Sequence, residues 1–451
     1  MACRAGPGAC RNHWKDDRAT GRPRNQDREP RIIDLTTPSW APRLHTLDSW
    51  RAYPNYRLLW LGDFCANSAQ WIQLLTVGWL VRDLTAADSS SGLLVVTVGG
   101  ISTLPVLVVG PWAGVLGDRL DRRRVVMATQ TIMAFAALSF ALMVRLEWVD
   151  WGHAYAYVLL GGASASITLP MRQALIANTV PPEAYANAYA ANALTITASR
   201  IVGPFAGGLL ITTLGFSWNF TVEAALYAAA ALSILPMKTP YRQPAPTAKV
   251  ASPLASLKEG LRYIWSRERV IFYLIMVGLI PNVVLHPVWF LLPVFTTEVL
   301  DRSADVGGYL LAATGFGGML AALVIASVGF IFKKGVVCLA AILVSAVCVI
   351  LFAYAPWLAA ALILMVAMSF AQATFRTGSS TLVQLLTPDT LRARVTSLTQ
   401  YNIGFVVLSS LAIGWLVDLT SVSVAIAVVG IAGLVLGLTA WLTLAVVHDL
   451  E

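Results

Sequence analysis

Asp63, Arg200 and Glu223 each sit inside a long apolar run, and His286 shares another such run with Pro281, Pro287 and Pro293. Charge inside a hydrocarbon layer is costly, so such groups mark proton or ion paths unless they serve packing. Asp63 opens a stripe in which Asn67 and Gln70 follow at helical spacing with Trp71 beside them, giving one face a carboxyl, two carboxamides and an indole. It lies about 8 Å of helix rise beyond Leu58, a depth that suits either a proton or cation site or a hydrated interfacial carboxylate. On a later run Asn192, Thr195 and Ser199 share a face with Arg200 adjacent, and Asn219, Glu223 and Tyr227 stripe the next one. Counted from the turn between these two runs, Arg200 is ~18 Å deep and Glu223 somewhat less, so a buried Arg200–Glu223 ion pair is expected. Paired and unpaired in turn, the carboxylate takes up and releases a proton; permanently paired, it fixes helix packing.

Further along, charge gives way to helix breakers. The prolines around His286 remove backbone hydrogen bonds and free carbonyls to line a cavity, with Asn282, His286 and Trp289 on one face. The imidazole is a candidate proton carrier or a local hydrogen-bonding partner of its bent helix. Ser369, Gln372, Arg376 and Ser379 form a polar stripe on a fifth run, and Gln400 stands beside Tyr401 and Asn402 on a sixth. A pocket drawn from Asn67, Gln70, Trp71, Asn192, Ser199, Asn282, Trp289, Gln372, Arg376 and Gln400 holds amides, hydroxyls and indoles with few fixed charges. That lining suits a small amphiphilic or aromatic molecule better than a sugar phosphate or an inorganic ion.

The elements that must hold these residues follow from composition. With 57% hydrophobic and 12% charged residues in 451, the chain has more apolar surface than a soluble core could hide, so it is an all-α polytopic membrane protein. Twelve runs are long enough to cross a bilayer, at 58–81, 92–117, 125–146, 152–176, 186–212, 216–236, 270–297, 306–332, 335–354, 357–380, 393–417 and 420–447. Links on the side of the termini carry seventeen Lys and Arg residues, against Arg82, Arg145 and Arg302 opposite. Both termini are therefore expected in the cytoplasm of a multi-pass protein of the bacterial inner membrane. The formal charge of +8 is accounted for by these links and by the tail, not by a nucleic-acid surface.

Residues 1–50, rich in Arg, Pro, Asp and Gly, read as a disordered basic tail, and 51–236 as a first six-helix bundle. Residues 237–269 form a linker with an amphipathic stretch, and 270–451 a second bundle. The bundles share matched residues at an offset of 206, Pro182-Glu183 with Pro388-Asp389, Thr168 with Thr374 and Gly208 with Gly414, as a duplicated unit requires.

Between the second and third runs lies Gly114-Val-Leu-Gly117-Asp118-Arg119-Leu-Asp121-Arg122-Arg123-Arg124. One reading is a topology-setting loop; the other is a gate, with Gly114 and Gly117 admitting a close neighbour and Asp118 accepting from a helix start. The pattern Gly114-x-x-x-Asp118-Arg119-x-x-Arg122-Arg123 resembles the signature loop of the major facilitator superfamily. Met171-Arg-Gln-Ala-Leu-Ile-Ala-Asn, Val180-Pro-Pro-Glu and Arg200-Ile-Val-Gly-Pro resemble the branch of enterobactin exporters and macrolide efflux proteins. The resemblance implies two six-helix bundles rocking about a central site, usually driven by the proton gradient, and a partner for Asp118 near Arg392–Thr396. Two departures stand out. Asp121 occupies a position where many such loops have Gly, and the equivalent loop of the second half is reduced to Phe332-Lys333-Lys334-Gly335.

There is no phosphate-binding Gly-rich loop with a Lys and no His/Cys metal spacing, which argues against an enzyme or a metal site. The reading is a proton-antiporting exporter of a siderophore or drug, a monomer without cofactor, in contact with the lipid bilayer and its small amphiphilic cargo. Competing readings are a lysolipid flippase or uptake carrier of the same fold, and a membrane receptor or scaffold that moves no solute.

Overall fold

The computed structural model describes residues 48–86, 90–241, 253–266, 268–329, 333–448 and 450. The expected disordered tail and most of the linker's Pro-rich part lie outside them. Ten helices are long and apolar enough to cross a membrane among the described residues. Two more, Pro54–Leu84 and Phe216–Ile234, complete twelve. These two are less apolar because they carry the interior polar side chains Asp63, Asn67 and Gln73 on one and Asn219 and Glu223 on the other.

In chain order the spans are Pro54–Leu84, Ser91–Ile101 with Leu104–Arg119, Arg122–Arg145, Trp151–Thr179, Tyr185–Leu214 and Phe216–Ile234 in the first half. The second half has Arg269–Glu298, Ala304–Val328, Lys334–Ala353, Leu358–Leu386, Asp389–Gly404 with Val406–Leu419, and Val422–Thr443. Helix Pro253–Ser266 packs against the start of span 11. Breaks have local causes. Pro105 lacks an N–H for the turn before it, and there the Ser102 and Thr103 hydroxyls donate to Gly99 O at 2.6 Å and Gly100 O at 2.7 Å. Span 7, with three prolines, passes through a π-turn at Ile280–Leu285 and a 3-10 segment at His286–Leu291 before resuming as α-helix.

Packing within the halves is alike: span 1 with spans 5 and 6, span 3 with span 6, and span 2 with span 4 have counterparts in 7 with 11 and 12, 9 with 12, and 8 with 10. Across the halves, span 5 meets span 8 and span 2 meets span 11, two contacts exchanged by the same pseudo-two-fold relation. The outer surface is studded with large apolar side chains such as Phe135, Ile363 and Leu442, which face lipid. The face where the described chain begins and ends is called the terminal face below, and the opposite one the distal face.

Candidate functional site

The distal ends of the two halves are sealed. Spans 5 and 8 touch backbone to backbone at Gly208 and Gly308, where a methyl group on Gly208 would stand 2.7 Å from Ala304 O and 3.0 Å from Gly308 Cα. At the other crossing, Gly414 lies against Leu93, and four residues on the Asp418 carboxylate accepts the Leu93 N–H at 3.1 and 3.2 Å. A carboxylate at the start of span 2 meets the positive end of that helix. Gly414-x-x-x-Asp418 repeats, at the distal end of span 11, the spacing of Gly114-x-x-x-Asp118 at the terminal end of span 2. Sequence reading passed over this echo because it is not at the duplication offset. Beneath the crossing, Gly99, Phe290, Leu292 and Leu311 form an apolar plug ending at Trp289.

Below the plug the halves enclose a charged cavity. Arg200 of span 5 reaches across the interface: its guanidinium carbon is 4.4 Å from the centre of Trp289 and 5.1 Å from that of Trp71. Its Nε donates to the Thr314 hydroxyl at 3.3 Å. The His286 ring lies 4.1 Å from Trp289. A cavity of about 20 Å³ is lined by Arg200, His286, Trp289, Ser369, Gln372 and Arg376, among others. Through Asn282, Phe375 and Arg376 it adjoins a larger one of about 160 Å³ that extends past Gly278, Ser379 and Asn402 towards the terminal face. Arg376 stays solvent-exposed although it lies ~15 Å of helix rise inside the end of span 10. Among the described residues, neither arginine has a carboxylate within ion-pair distance. To the Arg376 expected in this lining the structure adds Arg200, so the cavity is cationic.

The expected Arg200–Glu223 pair does not form. Equal depth does not give equal azimuth, and Glu223 faces the interior of the first bundle, where Tyr157 OH donates to Oε1 at 2.5 Å. Tyr157 in turn stacks on Phe140. Asp63, by contrast, is neither interfacial nor hydrated. It is 3% exposed, and its Oδ1 lies 3.7 Å from Nε of Arg172, also 3% exposed. Arg172 was quoted in the sequence only as part of a resembling segment. The usable signal was depth: Asp63 is nine residues from the start of span 1 and Arg172 seven from the end of span 4, both counted from the terminal face. Polar atoms without partners remain in this interior, including Glu223 Oε2, Gln73 Nε2, Gln130 Oε1 and the Arg172 nitrogens.

The other expected residues divide. Trp71 and Trp289 meet at 6.2 Å across the interface, and Asn282, His286, Gln372 and Arg376 line the cavity with Trp289. Asn67, Asn192 and Ser199 are buried in the first bundle. Asn67 donates to Asp63 O within its own helix at 2.7 Å, while Ser199 donates to Phe64 O at 3.2 Å and ties span 5 to span 1. Gln70 is half-buried. The side chain of Gln400 lies outside the described residues, while its neighbour Asn402 lines the larger cavity and donates to Ile275 O at 3.1 Å.

Of the loop motif, the surroundings of Gly114 and Gly117 and the side chains of Asp118 and Arg119 lie outside the described residues. Asp121 starts span 3 as a cap, accepting the Arg123 N–H at 3.0 Å, so the turn needs no glycine there. Arg123 donates from Nε to Ile234 O at 3.1 Å and from a terminal nitrogen to Leu235 O, tying span 3 to the carbonyl end of span 6. Arg122 begins the helix beside it.

Residues 49–449 match the model of a family described as transmembrane secretion effectors. The chain is 24% identical to the enterobactin exporter EntS of Shigella flexneri over 360 residues, 80% of this chain and 83% of that one. The same figures hold for the enterobactin exporter EntS of Escherichia coli O81 (strain ED1a). Among solved structures, a bacterial homologue of the human lysosomal transporter Spinster, inward-facing and unoccupied, aligns with a TM-score of 0.65 at 14% identity over 88% of this chain and 96% of that one. A POT family transporter in complex with a thioalcohol-conjugated peptide aligns with a TM-score of 0.70 at 9% identity over 87% and 96%. At these identities the likeness is one of fold.

Proposed function

Because the chain belongs to the transmembrane secretion effector family of the major facilitator superfamily, we propose that it exports a small amphiphilic compound by alternating access driven by proton antiport. The observation that carries this reading is the asymmetry of the interface between the halves. It is sealed at the distal face by backbone contact and hollow from Arg200 towards the terminal face. With the terminal face in the cytoplasm of a bacterial inner membrane, as the positive-inside bias supports, that is the state that loads cargo from within. The enterobactin exporters among the relatives support the outward direction and make a siderophore the first cargo to try.

In this reading the two halves rock about the cavity. Opening the distal face releases Leu93 from Asp418 and Arg200 from Trp289 and Thr314, and the Asp118 end of span 2 then closes the terminal face against span 11. Protons act in the first bundle. Protonating Asp63 leaves the Arg172 guanidinium buried without its counter-charge, a state that favours helix rearrangement, and Glu223 on Tyr157 offers a second carboxyl for the same path. The test is accumulation of enterobactin by inside-out-oriented liposomes carrying an imposed pH gradient. Accumulation that collapses with the gradient and is lost in Asp63→Asn supports the reading. Accumulation indifferent to the gradient removes proton antiport, and none with any amphiphile tried removes export.

A further inference from the structure

We propose that the central cavity is a site for an aromatic carboxylate, with Arg376 and Arg200 supplying the counter-charge; this rests on the cavity being the cargo site. The two guanidiniums come from opposite halves and line one cavity with no carboxylate partner among the described residues. A cation held well inside the apolar spans without a counter-ion is a costly arrangement, and two facing one space repel each other. The first bundle sets Asp63 beside its own Arg172 at 3.7 Å, so the chain does place a counter-charge by an arginine buried within one half. In the cavity the neutralising group is left to come from outside.

The surroundings narrow the class. Guanidinium offers a planar fork of donors that fits a carboxylate with two parallel hydrogen bonds. Arg376 makes no hydrogen bond among the described residues and so has its donors free, while Arg200 commits only Nε, to Thr314. The Gln372 carboxamide adds polar contacts at the wall, and its Nε2 sits 3.3 Å from Ser345 Oγ. Trp289 and Phe375 provide flat apolar faces beside these donors, with the His286 ring against Trp289. Trp289 also keeps a buried indole N–H without a partner. A cation meets two like charges here, and a neutral amphiphile leaves them unneutralised. A flat ring bearing a carboxylate answers both the faces and the charge.

Binding of 2-naphthoate, 2-naphthamide and 2-naphthylmethylamine to the full chain in lipid nanodiscs, read by tryptophan fluorescence and calorimetry, tests this directly. Naphthoate is expected to bind at least about tenfold more tightly than the uncharged amide, with the cationic amine weakest. Arg376→Gln is expected to erase the preference for naphthoate over the amide, and Arg376→Lys to retain part of it, because the charge stays while the fork is lost. Equal affinities for the three compounds, or an undiminished preference in Arg376→Gln, would overturn the proposal. Should Arg376→Gln not yield a monodisperse protein, the three-ligand comparison on the unmodified chain decides alone. Transport separates this inference from the one beneath it: naphthoate that binds but is never moved across liposomes counts against export, whereas efficient transport of neutral or cationic amphiphiles without naphthoate binding counts against the anion site.

Discussion

The interior of the first bundle and the cavity between the bundles both hold charge well inside the apolar spans, and they treat it in opposite ways. In the bundle, Asp63 sits by Arg172 and Glu223 takes a hydrogen bond from Tyr157, so each carboxyl has a partner on another helix. In the cavity, Arg200 lies between two indoles and Arg376 points into open space, with no acid beside either. Helix packing gives each carboxyl a partner. A binding site needs charges left for the ligand, and on the proposed reading the two tasks fall on different residues.

The sharpest way to break the comparison is to strip each kind of charge and watch stability. Arg172→Ala leaves Asp63 buried and alone and is expected to cost about 3–5 kcal/mol, seen as a large fall in the thermal midpoint, with the Asp63→Asn/Arg172→Gln double variant recovering much of it. Unfolding at the normal temperature in Arg172→Ala would mean that the pair does not hold the bundle. Arg376→Gln should behave in the opposite sense, keeping or raising the midpoint while carboxylate cargo binds about tenfold more weakly. A destabilised Arg376→Gln would place that arginine with the packing charges.

Smaller effects sharpen the picture at the distal seal. Asp418→Ala removes a carboxylate from the start of span 2, a loss of about 1 kcal/mol that shifts the balance towards the open distal face roughly fivefold. A cysteine placed at Val417, buried in that seam, reports the shift as faster labelling by a membrane-impermeant maleimide. No change in labelling would reduce Asp418 to an ordinary helix cap.

Much of this architecture is legible in the sequence because a bilayer imposes length and apolarity on every span. Pro105 and the prolines of span 7 mark breaks, and Trp71, Trp289, His286 and Arg376 stand out as polar or amphipathic groups in apolar runs. What the pattern does not carry is azimuth. Arg200 and Glu223 lie at similar depth on consecutive helices, yet one turns to the partner half and the other to its own bundle. Asp63 and Arg172 are over a hundred residues apart and meet only because spans 1 and 4 pack together. Partnership therefore decided which charges were structural, and partnership is a tertiary property.

Cargo exchange in liposomes separates the proposed proton charges from the proposed cargo charges. With labelled siderophore on one side and unlabelled on the other, exchange needs the cavity and its rocking but no net proton movement. Glu223→Gln should exchange at close to the normal rate yet fail to accumulate cargo on a pH gradient, while Arg376→Gln should lose both. An Arg376→Gln protein that exchanges normally, or a Glu223→Gln protein that still accumulates cargo on the gradient, would contradict the division.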